Sequence, residues 1–592
     1  MTVTLSGADK VPASKDYYHL GDHEWPITTQ SADAQIWFNR GVIWAYAFNH
    51  DEAAACFEQV VAHDPECAMG YWGAAYSYGP NYNKQWGAFH PTDLVASVKK
   101  CYDLSQLAKK HTDGATPLEQ AFVDAIQHRY PAREVPESFD ASIEAYAKAM
   151  REVYRRFGRD HLDVTALAAD AMMNTSPWKL FDTHTREPIL TTHVHEVKDI
   201  LERGLKLPGA NRHPGLLHLY IHLMEMSKTP EVTIHVADHL RNLVPDGGHL
   251  QHMPSHIDVL LGDYRLAIEA NIKATAADDK YFARESPTIF YSFYRLHNLH
   301  SLIYAGMLAG REVVVLETVD RMEKAIPEEL LRVESPPMAD LTETFMAVRV
   351  HALIRFGRWD DLKALEVPKD AKLYCVTTAA RHYGKAIAYA ATGEIERAEE
   401  ERELFRAAAA RVPESRLDYP NPSRNTLKVA AAMLDGELEY RRGNFERAFS
   451  HLRTAVERDD ALMYGEPWSW MIPTRHAYAA LLLERGRVEE AAGLYAEDLG
   501  FVEGRVRAQQ HPGNVWALCG YHECLVRLGR AGEAAIIGKQ LLSARAGADV
   551  EIRSSCYCRL GGVEEEEGVA GCCGSERDTE GGDGLQPALK DV

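Results

Sequence analysis

The chain is short of positive charge. Across 592 residues, Lys and Arg number 65 against 86 Asp and Glu, for a formal net charge of −21. Nucleic acid and anionic membrane surfaces are bound by concentrated Lys and Arg, so neither is an expected partner. Long apolar runs are also missing. No window approaches the roughly 20 apolar residues of a transmembrane helix, and MTVTLSGADKVPASKDYYHL at the N-terminus lacks the apolar core of a secretory signal. Cysteine is sparse. Cys56, Cys67, Cys101, Cys375, Cys519 and Cys524 are scattered, mostly within helical patterns, which reads as free thiols in a reducing compartment. These absences imply a soluble, cytoplasmic protein. The polar loop GPNYNKQW (residues 79–86) has no phosphate-loop pattern. Neither a G-x-G-x-x-G fingerprint after a strand nor a G-x-S-x-G elbow occurs, so the sequence offers no dinucleotide or serine-hydrolase signature.

What is present is a repeat. From Ala34 to Pro65, the residues Trp37, Gly41, Trp44, Ala53, Phe57 and Pro65 fall at positions 4, 8, 11, 20, 24 and 32 of the 34-residue tetratricopeptide (TPR) unit. Small residues let its two helices approach, and large ones fill the space between them. A turn of Gly with Ala five positions later recurs as GDYRLA at Gly262, GEIERA at Gly393, GNFERA at Gly443 and GRVEEA at Gly486, with related forms at Gly357 and Gly529. The fold expected is all-α: a TPR-like solenoid of antiparallel helix pairs, forming a superhelix with a concave groove. Its expected segments are an N-terminal extension (1–29), N-terminal repeats (30–95) and an irregular helical stretch (96–205). Histidine-rich repeats (206–330), further helical repeats (331–418) and C-terminal repeats (419–546) follow. PNPSRN near Pro420 marks a break between arrays. From 547 to 592 the Gly- and Glu-rich composition reads as a disordered tail, whose pairs Cys556/Cys558 and Cys572/Cys573 match no zinc spacing.

Two histidine pairs stand out: HLYIH (His218, His222) and, 34 residues on, HMPSH (His252, His256). With Lys228, Gly262 and Gly310 aligned at repeat position 15, His218, His252 and His300 occupy position 5. His222 and His256 occupy position 9, where the third helix has Tyr304. His249 and His297 occupy position 2, and Glu225 position 12. Residues spaced by three or four share one helix face, and packed helices lie about 8–10 Å apart, so imidazoles from neighbouring helices can meet on one ion. His235 and His239 fall on a second helix and read as ordinary surface residues. The expected ligands are His218, His222, His252 and His256. Glu225 and His300 are either further ligands or an acid/base pair. Imidazole-rich sites suit a divalent transition metal such as Zn, Fe or Cu. Asp170, Asn174, Glu466 and Arg475 are further polar candidates for the same groove.

The chain resembles a family of large microbial and fungal tetratricopeptide-domain proteins. The resemblance rests on FNHDEAAACFEQVVAHDPECAMGYWGAAYSYGPNYN (48–83), HPGLLHLYIHLME (213–225), HMPSHI (252–257), HNLHSL (297–302), EPW (466–468) and HPGNVWALCG (511–520). It spans about residues 15 to 545 and implies that positions 2, 5, 9 and 12 face the concave groove. Two functions then compete. One is a metal-dependent enzyme, hydrolytic or oxidative, acting on a small molecule in the groove. The other is a scaffold whose groove holds a peptide. Peptide-carboxylate grooves favour Lys, Arg and Asn, whereas this one is rich in histidine and acid. A pH-responsive groove is a third reading. A homo-oligomer is left open.

Overall fold

Packing starts from the alternation of small and aromatic residues. In the computed structural model, which describes residues 9–559, the first helix pair is Ala32–Tyr46 and His50–His63. Ser31 and Asn49 cap the two N-termini, their side chains accepting from the backbone N–H of Ala34 and Glu52. Such caps satisfy first-turn donors that have no partner inside the helix. Phe57 fills the space that side chains at Gly41 and Gly73 would need: a Cβ would lie 2.8 Å from its ring at Gly41 and 2.3 Å at Gly73. The small-against-aromatic pairing read from the repeat is therefore a physical contact.

The pattern continues along the chain, most helices packing on a sequence neighbour. Gly262 (φ 84°) and Gly310 (φ 70°) follow the helices Pro254–Leu261 and Ser292–Ala309 directly. Both adopt the left-handed conformation that terminates a helix and favours glycine. The turn glycines at 357, 393, 443, 486 and 529 share it. The described chain is an all-α, TPR-like solenoid. The stretch read as irregular helical, 96–205, holds the helices Pro91–Lys110, Pro117–Arg129, Asp140–Phe157, Leu162–Met173 and Val194–Gly204.

Both ends of the described chain extend the core. Tyr18, Leu20 and Trp25, within the expected N-terminal extension, are buried with the first repeat. At the other end, residues 547–559 were expected to begin a tail. Instead Ile552, Cys556 and Cys558 are buried, and Ser555 Oγ donates to the His476 carbonyl at 2.7 Å. Loss of helical periodicity at Gly547 ended the helix but not the packing. Cys556 and Cys558 are joined to each other. The rest of the expected tail, with Cys572 and Cys573, lies outside the described residues. Near Pro420, where a break between arrays was expected, Leu417–Asp418 and Asn421–Pro422 pair as a short antiparallel hairpin. Among the described residues no helix is long and apolar enough to cross a membrane.

Candidate metal centre

Three short helices and one long one carry the site: Pro214–Met224, Gly248–His252, Pro254–Leu261 and Ser292–Ala309. Pro254 interrupts what the repeat register reads as a single helix, because it has no N–H to continue the ladder. His252 ends one segment and His256 lies in the next, yet their rings remain neighbours, with centroids 4.6 Å apart. Gly248 opens this element against Asp278, whose carboxylate oxygen would lie 2.0 Å from a Cβ at that position.

The expected four histidines divide between two sets. Within one set, His218, His222 and His249 each offer a ring nitrogen within 4.8 Å of the others; in a second, His252, His256 and His297 do the same. A third grouping joins His222, Glu225, His256 and Glu466 across the two. The register explains the division. Each set takes positions 5 and 9 of one repeat and position 2 of the next. His249 and His297 were on the grid but not among the expected ligands; the missed signal was that position 2 of the following repeat faces the same space.

The hydrogen bonds assign the ring nitrogens. His218 Nδ1 donates to the Tyr46 carbonyl at 2.7 Å. His222 Nδ1 donates to Glu225 Oε1 at 2.7 Å. His252 Nδ1 lies 2.7 Å from Asn271 Oδ1, and the Asn271 amide is oriented by its own Nδ2 donating to the Ala267 carbonyl. His256 Nδ1 donates to Glu225 Oε2 at 2.5 Å and lies 3.1 Å from Glu466 Oε2. All four expected histidines thus have Nδ1 engaged by an oxygen acceptor. In the neutral ring this leaves a lone pair on Nε2, and it is the arrangement found where histidines ligate metals.

The Nε2 atoms meet each other. His252 and His256 are 2.7 Å apart through Nε2, and His218 and His249 are 3.0 Å apart. His222 Nε2 and His249 Nδ1 are buried without a hydrogen-bond partner. Burial, reinforced by His256, holds His252 well below the ordinary imidazole range; burial and His218 do the same for His249.

Glu225 lies between the sets. Burial opposes its charge, but His256 and His222 outweigh that and hold its carboxyl below the usual range. Glu466 moves the other way, raised by burial and by the charge of Glu225. Glu225 is therefore placed on the Nδ1 side of both rings, as the group that orients them. His300 is not in either set: its Nε2 lies 3.0 Å from Met471 Sδ, and its ring packs edge-on against Phe345. Burial, with His351 adding to it, depresses its pKa to about 3. Of the other polar candidates, Asp170 accepts from Tyr76 and Asn174, and Arg475 pairs with Asp460 and Glu497. His235 and His239 are exposed.

The sets differ in access. His256 and His297 line a cavity together with His300, Asp418, Tyr419 and Glu466. Tyr419, at the hairpin tip, is 37% exposed at its rim. Asp418 was not singled out in the sequence; burial raises its carboxyl to about 8. The first set is sealed, with His218 at 0% and His222 and His249 at 1% exposure.

A fourth grouping, His23, Asp163 and His213, is a hydrogen-bonded network. His213 Nδ1 accepts from the Leu216 N–H and caps its helix, so Nε2 carries the proton that faces Asp163 Oδ1 at 3.2 Å.

The tetratricopeptide repeat family matches residues 34–67, the segment in which the repeat is clearest. No curated protein matches the chain. Among solved structures, the chain is similar to the crystal structure of yeast Tom70, at 10% identity over 87% of this chain and 93% of that one, with a TM-score of 0.26. It is also similar to the APC/C hetero-tetramer Cut9–Hcn1, at 12% identity over 87% and 93% of the two chains, with a TM-score of 0.22. Neither similarity bears on the histidine sets.

Proposed function

We propose that the protein is a metal-dependent enzyme that acts on a small molecule, with a divalent transition metal (Zn, Fe or Cu) held by His252, His256 and His297. The observation that carries this reading is the 2.7 Å approach of His252 Nε2 to His256 Nε2 while both Nδ1 atoms face oxygen acceptors. With both rings neutral, two lone pairs face each other and repel; a cation coordinated by both, about 2.0–2.1 Å from each nitrogen, turns that repulsion into attraction. Three imidazoles form a donor set that suits Zn, Cu or Fe, and one that leaves coordination positions free is the catalytic kind.

His256 and His297 line the cavity, so a bound molecule would meet the ion there. The ion would supply Lewis-acid polarisation or activate water or dioxygen. Glu466 stands beside His256 and lines the same cavity, where it can hold or release a proton. Glu225 acts through the rings it orients. Tyr419, Phe293, Phe345 and Trp178 supply aromatic walls. The alternative is a non-catalytic scaffold that binds a peptide or partner protein in the groove; at this place Tyr419 and Glu466 of the chain itself lie beside His256 and His297.

The test uses the full chain purified without a histidine tag and loaded with Co²⁺. Visible absorption of the bound ion should change on addition of azide, and His297→Ala should abolish that change. Metal analysis finding far less than one tightly bound ion per chain would remove the proposal.

A further inference from the structure

We infer a second metal site, closed to solvent, formed by His218, His222 and His249, so that the chain holds two ions with different roles. The inference rests on the reading of the cavity-facing set as a metal site and extends it through the geometry of the repeat. The sealed set uses the same repeat positions, 5, 9 and the following 2. It also uses the same kind of orienting contact on Nδ1: the Tyr46 carbonyl for His218 and Glu225 for His222.

Two further observations point to a ligand. First, His222 Nε2 and His249 Nδ1 are buried with no hydrogen-bond partner. Leaving a buried polar atom unpaired is costly, and a closed cluster with two such atoms gains from an ion that takes a lone pair. Second, the cluster has a dedicated aromatic cover. Phe48 lies over all three rings, with centroids 4.5 Å from His218, 5.7 Å from His222 and 5.4 Å from His249. Phe48 adopts φ 55°, uncommon for a residue with a side chain. It immediately precedes the Asn49 cap of the next helix.

Sealed from solvent, with its three rings at most 1% exposed, this site admits no substrate, and its role is structural. It ties the first repeat, through Tyr46 and Phe48, to the helices Pro214–Met224 and Gly248–His252. Glu225 then links the two sites, since it orients His222 in one and His256 in the other. Loading of the closed site fixes Glu225 and thereby the ring of His256.

The experiment is Zn²⁺ stoichiometry by elemental analysis after dialysis of the untagged full chain. Wild type should retain two ions per chain. His249→Ala should retain one, His297→Ala one, and the double variant none. A wild-type content of one ion, or a His249→Ala variant that keeps the wild-type content, overturns the second site. One ion that is lost in His297→Ala and kept in His249→Ala ends this inference and leaves the cavity site standing; no bound ion at all ends both. Should His249→Ala fail to fold, Co²⁺ titration of wild type decides: ligand-field absorption must keep rising to two equivalents, and a plateau at one overturns the inference.

Discussion

His252 and His256 meet Nε2 to Nε2 at 2.7 Å across the helix break at Pro254. Each ring is held from behind, His252 by Asn271 and His256 by Glu225. The pair is therefore a set of fixed donors, and its surroundings lead to specific expectations.

Asn271 should matter for metal affinity without touching the ion. Its Oδ1 fixes the tautomer and orientation of His252. Loss of such an orienting partner typically weakens binding about 10- to 100-fold. Asn271→Ala should show a drop of that order in a chelator competition with Zn²⁺. Unchanged affinity would mean that His252 is not a ligand.

Glu225→Gln should destabilise the fold and weaken metal retention together. The carboxylate accepts from two buried imidazoles, and an amide offers only one acceptor while turning an N–H towards the other ring. A lost hydrogen bond to a charged group is worth about 1.5–3 kcal/mol, so the urea midpoint should fall by a corresponding amount. Glu225→Ala should cost at least as much. A neutral result would remove the linking role of this residue.

Asp418 should make stability fall as pH rises from about 4 to about 8. Its folded pKa, about 8, is above the value of about 3.9 expected in the unfolded chain. The folded state thus binds the proton more tightly, and its contribution to stability is full below about pH 4 and declines as pH rises towards about 8. Asp418→Asn should remove this decline. Urea midpoints measured across that range should diverge between wild type and variant, in the variant's favour at the alkaline end. Parallel curves would contradict the assignment.

Gly73→Ala should destabilise the packing of the helix Ala68–Tyr78 on the first repeat, although alanine is the better helix former. The added Cβ would lie 2.3 Å from the Phe57 ring. Overpacking of this kind costs about 1–3 kcal/mol, read as a lower thermal midpoint. Phe57→Leu in the same chain should recover part of it by relieving the contact.

Much of the fold was legible because a repeat states its packing locally. Gly41, Phe57 and the turn glycine Gly262 each have a role set within a few residues or one helix pair. The histidine rows were legible for the same reason, since equal repeat positions share a face. The partition of those histidines was not legible. It depends on the stagger between neighbouring helices, which brings His249 to His218 and His297 to His252. Glu466 was a candidate for the same groove, but its place beside His256 was not legible, nor was that of Asp418; they reach the cavity from segments roughly 120 to 210 residues away in the chain.

By itself the sequence determined the helix-pair unit, its turns, and the alignment of His218 with His252 and of His222 with His256. Those features follow from local sterics and from a 34-residue spacing. Only the tertiary structure decided which nitrogens face oxygen acceptors and which face each other, which set is sealed beneath Phe48, and which opens onto a cavity beside Tyr419. Those outcomes turn on distances of a few tenths of an ångström between side chains from different helices, and such distances are set by the packing of the whole array.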